Sequence, residues 1–205
     1  MSETERPAHR PSRRQHIVSA AVRVFGRNGL ADASMQDIAD EAGVAATAVY
    51  YHFSGKEELF DLALRRVLDQ LDEVVRRSRA DDEPGDADRL ATVIDAVWDW
   101  LEDNPDDARM YQLHLAGATG QARVIREEFE QRHVQRAFDY LSDSTPRNAR
   151  SAAVRHAAQT LAVRTMITST MHVSALRAEG GPLSTLPQRS VRRALRGLAQ
   201  RIVAS

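Results

Sequence analysis

The chain of 205 residues contains no cysteine, and this absence excludes disulfides, thiolate metal sites and a cysteine redox switch. No apolar run reaches 18 residues, so the sequence predicts neither a membrane-spanning helix nor a membrane partner. The N-terminus is polar and lacks the apolar segment of a secretory signal. Together these absences favour a cytoplasmic protein.

A strong net charge is also missing, because 28 lysines and arginines are balanced by 29 acidic residues. A broad positive surface, which is common in proteins that bind nucleic acids, is therefore not predicted. Within the first 60 residues every arginine lies before position 30, and Lys56 is the only lysine or arginine between positions 30 and 60. Arg10, Arg13 and Arg14 form either an arm that reaches a minor groove or phosphates, or a solvated tail. The sequence leaves both alternatives open.

Apolar residues make up 42% of the chain and recur with helical spacing along most of it. No segment shows the sustained alternation that is typical of β-strands. The sequence therefore predicts an all-α protein of about nine helices. We divide it into a disordered basic arm (residues 1–11), a three-helix helix-turn-helix unit (12–55) and a larger helical unit (56–205).

The segment 34–60 carries the clearest local signals. Ser34, with an aspartate three positions later, has the spacing of a capping box at a helix start. Gly43 can adopt the positive φ of a tight turn. A short helix follows, with Val49 and Phe53 four residues apart on its inner face. Small and aromatic side chains are left on the outer face, which suits a helix that enters a DNA major groove.

This segment resembles the DNA-binding signature of the TetR family of transcriptional regulators. The signature has a Gly-Val turn, a small-residue stretch, an apolar-Tyr-x-His-Phe block and a Gly-Lys-Glu-x-Leu ending. Its elements stand at Gly43-Val44, Ala45–Ala48, Val49–Phe53 and Gly55–Leu59. The resemblance extends back over the first predicted helix, and the remainder of the chain matches the family only in being helical.

The resemblance implies that the protein binds double-stranded operator DNA. The implied contact residues are Ser34, Gln36, Ala46, Thr47, Ala48, Tyr50, Tyr51, His52 and Lys56. Of these, Tyr50, His52 and Lys56 match positions at which the family contacts phosphates. The short helix lacks Arg, Asn and Gln, the side chains that read guanine or adenine through paired hydrogen bonds. We therefore hypothesise that sequence choice depends on Gln36, on contacts with thymine methyl groups and on DNA shape.

The resemblance also implies a homodimer that forms through the two C-terminal helices. In the last predicted helix, apolar side chains occupy one face and arginines occupy the other. The apolar face comprises Val191, Ala194, Leu195, Leu198 and Ile202, and the arginine face comprises Arg189, Arg192, Arg193 and Arg196. We interpret the apolar face as a dimer surface and the arginine face as solvated.

A small-molecule effector in the larger unit is a further implication of the resemblance. Candidate effector-contact residues are Trp98, Leu101, Met110, Tyr111, His114, Phe129, Phe138, Met166, Thr170 and His172. Most of these side chains are also typical of a packed core, so both roles stay open. His114 and His172 would need a third ligand to hold a metal ion, and none is identified. No metal site and no cofactor are therefore predicted.

These features predict a ligand-responsive transcriptional regulator, acting as a repressor that binds operator DNA as a dimer and is released by a small, largely apolar effector. One alternative is a helical scaffold or partner-binding protein without sequence-specific DNA binding, which the acidic balance of residues 30–60 supports. The other is an all-α enzyme. The chain contains no metalloprotease, nucleophile-elbow, P-loop or dinucleotide-binding motif, so no enzyme is predicted.

Overall fold

A computed structural model describes residues 12–78, 86–115, 120–140, 149–178, 180 and 182–204. These described residues form nine α-helices and one 3₁₀ turn, without a strand, which confirms the all-α prediction. The helices are α1 (Arg13–Asp32), α2 (Met35–Ala42), α3 (Ala46–His52), α4 (Lys56–Arg77), α5 (Asp86–Asp103), α6 (Pro105–Leu115), α7 (Gly120–Tyr140), α8 (Ala149–Ala178) and α9 (Gln188–Ala204). The predicted basic arm lies outside the described residues. Within them, every helix is too short or too polar to cross a bilayer.

Hydrogen-bonding side chains and a glycine set the ends of the first two helices. Ser12 caps α1, and its hydroxyl accepts a hydrogen bond from the backbone N–H of Gln15. Ser34 caps α2 in the predicted capping box with Asp37. Gly43 ends α2 at φ 63°, the left-handed conformation that the sequence predicted for the turn.

Helix α1 is central to the fold because it packs against α2, α4 and α6. Its buried side includes Ile17, Phe25 and Gly26. The rings of Phe25 and Phe60 meet edge to face with centroids 5.2 Å apart, and this contact joins α1 to α4. The same hydrophobic core continues into α5, α6, α7 and α8. The helix-turn-helix and the larger unit therefore share one core.

A second hydrophobic cluster joins α5, α8 and α9. Trp98 of α5 is completely buried in it. Leu90 and Ile94 contribute from the same helix, and Met166 contributes from α8. This cluster attaches the C-terminal helix to the rest of the chain.

The apolar face of α9, which the sequence analysis interpreted as a dimer surface, packs mainly within the chain. Val191 and Leu195 are buried in the second cluster, and Leu198 is half-buried against it. Ala194 is exposed. The side chain of Ile202 lies outside the described ones. A dimer that uses α9 therefore has to use the surface that this packing leaves open.

The arginine face of α9 is not uniformly solvated, and the interpretation from the sequence was wrong on this point. Arg192 pairs with Asp95 at 3.2 Å and with Asp99 at 2.6 Å. Arg196 pairs with Asp95 at 2.7 Å. The two other arginines of this face are exposed. The amphipathic pattern of α9 could not reveal these pairs because their acidic partners are about a hundred residues away, on α5.

Candidate nucleic-acid interface and adjoining cavity

The short helix α3 turns one side to the core and the other to solvent. Val49 is completely buried, and Phe53, which follows the helix, is 2% exposed. On the opposite side Tyr50 is 59% exposed and Tyr51 is 85% exposed. Thr47 is exposed as well. The structure thus gives α3 the inward and outward faces that the sequence predicted.

Three other residues that the sequence predicted as DNA contacts on α3 are less exposed than the two tyrosines. Ala46 and Ala48 are half-buried, and Ala46 packs against the main core. His52 is also half-buried, and its ring lies edge to face with the Tyr51 ring at a centroid distance of 5.1 Å. The outer face of α3 therefore offers methyl groups and aromatic rings, without a long cationic side chain.

The first turn of α1 carries two of the three arginines that the sequence left open as an arm or a solvated tail. Arg13 and Arg14 follow the cap Ser12 and are helical, as the boundary at residue 12 predicted, so neither belongs to an arm before α1. Arg10 lies outside the described residues. The Arg14 guanidinium lies 5.1 Å from the centre of the Phe53 ring, within the range of a cation–π contact. This contact holds a positive charge at the C-terminal end of α3.

Lys56 has a structural role that the sequence did not reveal. Its Nζ donates hydrogen bonds to the backbone oxygens of Ala31 and Ala33, each at 3.1 Å. These bonds tie the start of α4 to the last turn of α1 and to the residue that follows it. An ammonium has three protons to donate, so the contact with phosphate implied by the resemblance would use the third.

The start of α2 is also exposed, and its polar side chains are engaged with one another. The Ser34 hydroxyl donates to the Asp37 carboxylate at 2.6 Å. Gln36 Nε2 donates to Asp40 Oδ1 at 2.7 Å. The amide nitrogen carries two protons, so Gln36 keeps its amide oxygen and one N–H for a base contact while it is bonded to Asp40.

Four of the six acidic residues of segment 30–60 accept local hydrogen bonds. Asp37 belongs to the capping box of α2. Glu58 accepts hydrogen bonds from the backbone N–H and the hydroxyl of Ser54. Glu41 accepts hydrogen bonds from Arg27 and from Arg23, the latter at 2.5 Å. These bonds with Arg27 and Arg23 lower the pKa of Glu41. Most acidic residues of this segment thus belong to caps and local hydrogen bonds, including an ion-pair network that joins α1 to α2.

Acidification should weaken this network. A carboxyl whose pKa is lowered by folding stabilises the folded state above the unfolded pKa, and this contribution is lost as pH falls through the folded pKa. We therefore expect Glu41→Gln to be less stable than the wild type at pH 7, with a gap that narrows as pH falls below about 4.5. Urea unfolding across this pH range measures the gap.

The control for this measurement is Glu102→Gln, the same charge change at an exposed glutamate that makes no ion pair among the described residues. A gap between wild type and Glu41→Gln that stays constant with pH would show that the ion pairs with Arg23 and Arg27 do not stabilise the folded state.

A cavity of about 680 Å³ lies between α1, α6, α7 and α8. The residues that line it include Gly26, Arg27, Arg109, Tyr111, Arg126 and His172. Tyr111 and His172 are the two predicted effector-contact residues among them. Burial raises the pKa of the Tyr111 hydroxyl well above its ordinary value, so this phenol stays protonated. The arginines were not predicted, because nothing local in the sequence indicates that α1 borders the larger unit.

The other predicted effector-contact residues do not line this cavity. Leu101, Met110 and Phe129 belong to the main core. Trp98 and Met166 belong to the second cluster. Thr170 is completely buried and donates its hydroxyl to the backbone oxygen four residues earlier, at 2.8 Å. The side chains of His114 and Phe138 lie outside the described ones. Effector contact by any of these residues stays a prediction.

Known proteins share both the local motif and the whole fold. Residues 17–63 match the family described as bacterial regulatory proteins, tetR family. The HTH-type transcriptional regulator BetI of Stenotrophomonas maltophilia is 30% identical over 152 residues, which are 74% of this chain and 76% of BetI.

Two solved structures illustrate the similarity of fold. A transcriptional regulator from Rhodococcus sp. superposes with a TM-score of 0.73 at 20% identity, covering 93% of this chain and 96% of that chain. The ketosteroid regulator KstR2 of Mycobacterium tuberculosis superposes with a TM-score of 0.63 at 22% identity, covering 97% of both chains. With the relative that spans three quarters of the sequence, these findings have one explanation: the chain belongs to the TetR family of bacterial transcriptional regulators.

Proposed function

We propose that this regulator binds its operator as a homodimer through α3, represses transcription, and is released by a small, largely apolar effector. The observation that carries the proposal is the asymmetry of α3. Its inner residue Val49 is completely buried, whereas Tyr50 and Tyr51 are 59% and 85% exposed. Tyrosine joins an apolar ring to a polar hydroxyl and is enriched at interfaces, so this exposed pair supports a contact surface on the outer side of α3.

The chemistry around α3 suits the DNA backbone. Tyrosine hydroxyls donate hydrogen bonds to phosphate oxygens, and such contacts fix the register of a helix in the major groove. Arg14 provides positive charge at one end of α3, and Lys56 provides it at the start of α4. Thr47 and the two half-buried alanines leave methyl groups for the groove floor, where thymine presents its own methyl group.

A dimer is needed because one helix-turn-helix contacts few base pairs, and two-fold proteins read paired half-sites. On α8, Val154 is 66% exposed and Leu161 is 68% exposed. They are seven residues apart and so lie on one side of the helix. Since the apolar face of α9 is largely used within the chain, we assign the main apolar contact of the dimer to this side of α8, with the open surface of α9 beside it.

Repression is the direction that we propose for the response. A relative named as a repressor, KstR2 of Mycobacterium tuberculosis, is 33% identical over 113 residues. Another relative, FasR of Mycolicibacterium smegmatis, is named as an activator and is 36% identical over 107 residues. Both alignments cover only about half of each chain. Transcript levels from the bound promoter in a deletion strain decide the direction: they rise for a repressor and fall for an activator.

Operator binding is tested with the two exposed tyrosines. Tyr50→Phe and Tyr51→Phe should each weaken binding to the upstream DNA of the protein's own gene by about two- to tenfold, because each removes one phosphate hydrogen bond. The slope of affinity against salt should not change, since no charge is lost. A mobility-shift assay over a salt series measures both quantities.

Ser184→Ala is the control for these variants, since it also removes one exposed hydroxyl, lies between α8 and α9 outside the cavity, and should leave operator affinity unchanged. Equal binding to operator and to scrambled DNA would instead favour the helical scaffold without sequence-specific DNA binding.

A further inference from the structure

The cavity between α1, α6, α7 and α8 touches the DNA-binding unit directly. Its lining includes Gly26 and Arg27 of α1 together with residues of three helices of the larger unit. At this point α1 and α6 approach very closely, because a Cβ placed on Gly26 would lie 2.6 Å from the backbone oxygen of Asp106. Arg27 and Arg109 each lie within three residues of this contact and both line the cavity. An occupant can therefore reach both helices at the joint between them.

The lining combines apolar walls with an excess of positive charge. Apolar surface comes from Leu113, Met171 and Leu176, among others. The charged residues of the lining are three arginines and a single carboxylate, that of Glu130. Apolar walls with a few charged groups at one place are typical of a site for an amphipathic small molecule, and the sign of the excess favours an anion.

The interactions that Arg109 and Arg27 make in this structure allow both side chains to bind a ligand carboxylate. Arg109 faces Asp106 at 3.8 Å, which is much longer than the 2.7–2.9 Å of a strong charge-assisted hydrogen bond. Its side chain is 53% exposed. Arg27 is bonded to Glu41 of α2, and its side chain is 45% exposed. A carboxylate at the joint would thus gain Arg109 at little cost and would compete with Glu41 for Arg27.

We propose that this cavity binds an amphipathic carboxylate, with the apolar body against α6 and α8 and the carboxylate at Arg109 and Arg27. The ligand competes with Glu41 for the Arg27 guanidinium, so its binding loosens the ion-pair network between α1 and α2. Binding of the carboxylate is independent of the proposed operator function, whereas an effect on DNA rests on that function.

Titration calorimetry on the full-length protein tests the site with decanoate, and with 1-decanol as the neutral probe of equal chain length. We expect decanoate to bind at least tenfold more tightly than 1-decanol, because hydrogen bonds between charged groups are stronger than those to a neutral hydroxyl. Arg109→Gln should weaken the binding of decanoate by about tenfold or more for the same reason. Arg123→Gln, an exposed arginine of α7 outside the cavity, is the matched control and should bind decanoate as the wild type does.

The role of Arg27 is tested with Glu41→Gln, which removes the competing carboxylate. This variant should bind decanoate several-fold more tightly than the wild type. Equal affinity for decanoate and 1-decanol, or equal weakening by Arg109→Gln and Arg123→Gln, would overturn the carboxylate site. An unchanged affinity in Glu41→Gln would overturn the competition for Arg27.

The operator assay separates this proposal from the proposed function. If decanoate binds as expected and the protein shows no preference for its operator, the proposed function fails and the site stands. If operator binding is specific and decanoate binds no better than 1-decanol, the site fails and the proposed function stands. If both hold, decanoate should weaken operator binding in the wild type and much less in Arg109→Gln.

Discussion

Trp98→Ala should lower the free energy of unfolding by about 3–5 kcal/mol, the cost that is typical of deleting a large aromatic side chain from a core. Trp98 is completely buried between α5, α8 and α9, and the apolar residues around it are themselves buried. Removing the indole would leave a void that Met166 and Leu195 can fill only in part. Urea unfolding at a fixed protein concentration measures the loss, with fluorescence of Trp100 as the reporter.

Trp98→Phe is the companion variant, and it should cost only about 1–2 kcal/mol. The indole Nε1 is buried and has no hydrogen-bond partner among the described residues. Replacement by phenylalanine therefore loses part of the packed volume but no hydrogen bond. The pair also tests the predicted effector role of Trp98. If Trp98→Ala barely changes stability but abolishes binding of a small molecule, the indole lines an effector site and is not a core residue.

Gly26→Ala is expected to have the second largest effect on stability. The added Cβ would meet the backbone oxygen of Asp106 at 2.6 Å, so α1 and α6 must move apart. Overpacking of this kind costs about 1–3 kcal/mol. We expect this loss of stability even though alanine is a better helix former than glycine by about 1 kcal/mol.

Gly197→Ala in α9 is the control because it is the same substitution within a helix. There the new Cβ would meet only the end of the flexible Arg201 side chain, at 3.6 Å. This variant should gain up to about 1 kcal/mol. Both variants are compared at equal protein concentration, with the oligomeric state followed by sedimentation, since α9 belongs to the proposed dimer surface. If both variants are stabilised equally, the close approach of α1 and α6 is not rigid.

Local signals in the sequence predicted the geometry of the N-terminal unit well. The capping box at Ser34, the left-handed Gly43 and the inward pair Val49 and Phe53 each depend on neighbours within a few residues. Such features follow from backbone hydrogen bonding and helical periodicity alone. The outward direction of Tyr50 follows from the same periodicity.

Interactions between distant segments could not be predicted in this way. The bonds from Lys56 to two backbone oxygens span 23 and 25 residues. Every residue has a backbone oxygen, so the sequence does not indicate which of them accepts such a bond. The ion pairs of Arg192 cross more than 90 residues to α5. Gly26 shows neither a turn nor a positive φ, so only the path of α6 explains why a glycine stands there.

The cavity escaped prediction for a related reason. Large apolar side chains of the larger unit were the natural candidates, yet those of Leu101, Met110 and Phe129 fill the main core. The charged part of the cavity includes Arg27 and Arg109, whose helical faces look solvent-exposed in the sequence. An arginine on an exposed face and an arginine that borders a cavity have the same sequence pattern.

The position of α1 among α2, α4 and α6 has a consequence for how the molecule unfolds. A fragment that ended at residue 55 would lose Phe60 and the backbone of α6, and would leave Phe25 and Gly26 exposed to water. We therefore expect a helix-turn-helix fragment to be much less stable than the same residues in the whole protein. Because its core is completed by α4 and α6, we also expect the thermal unfolding of the helix-turn-helix to coincide with that of the larger unit.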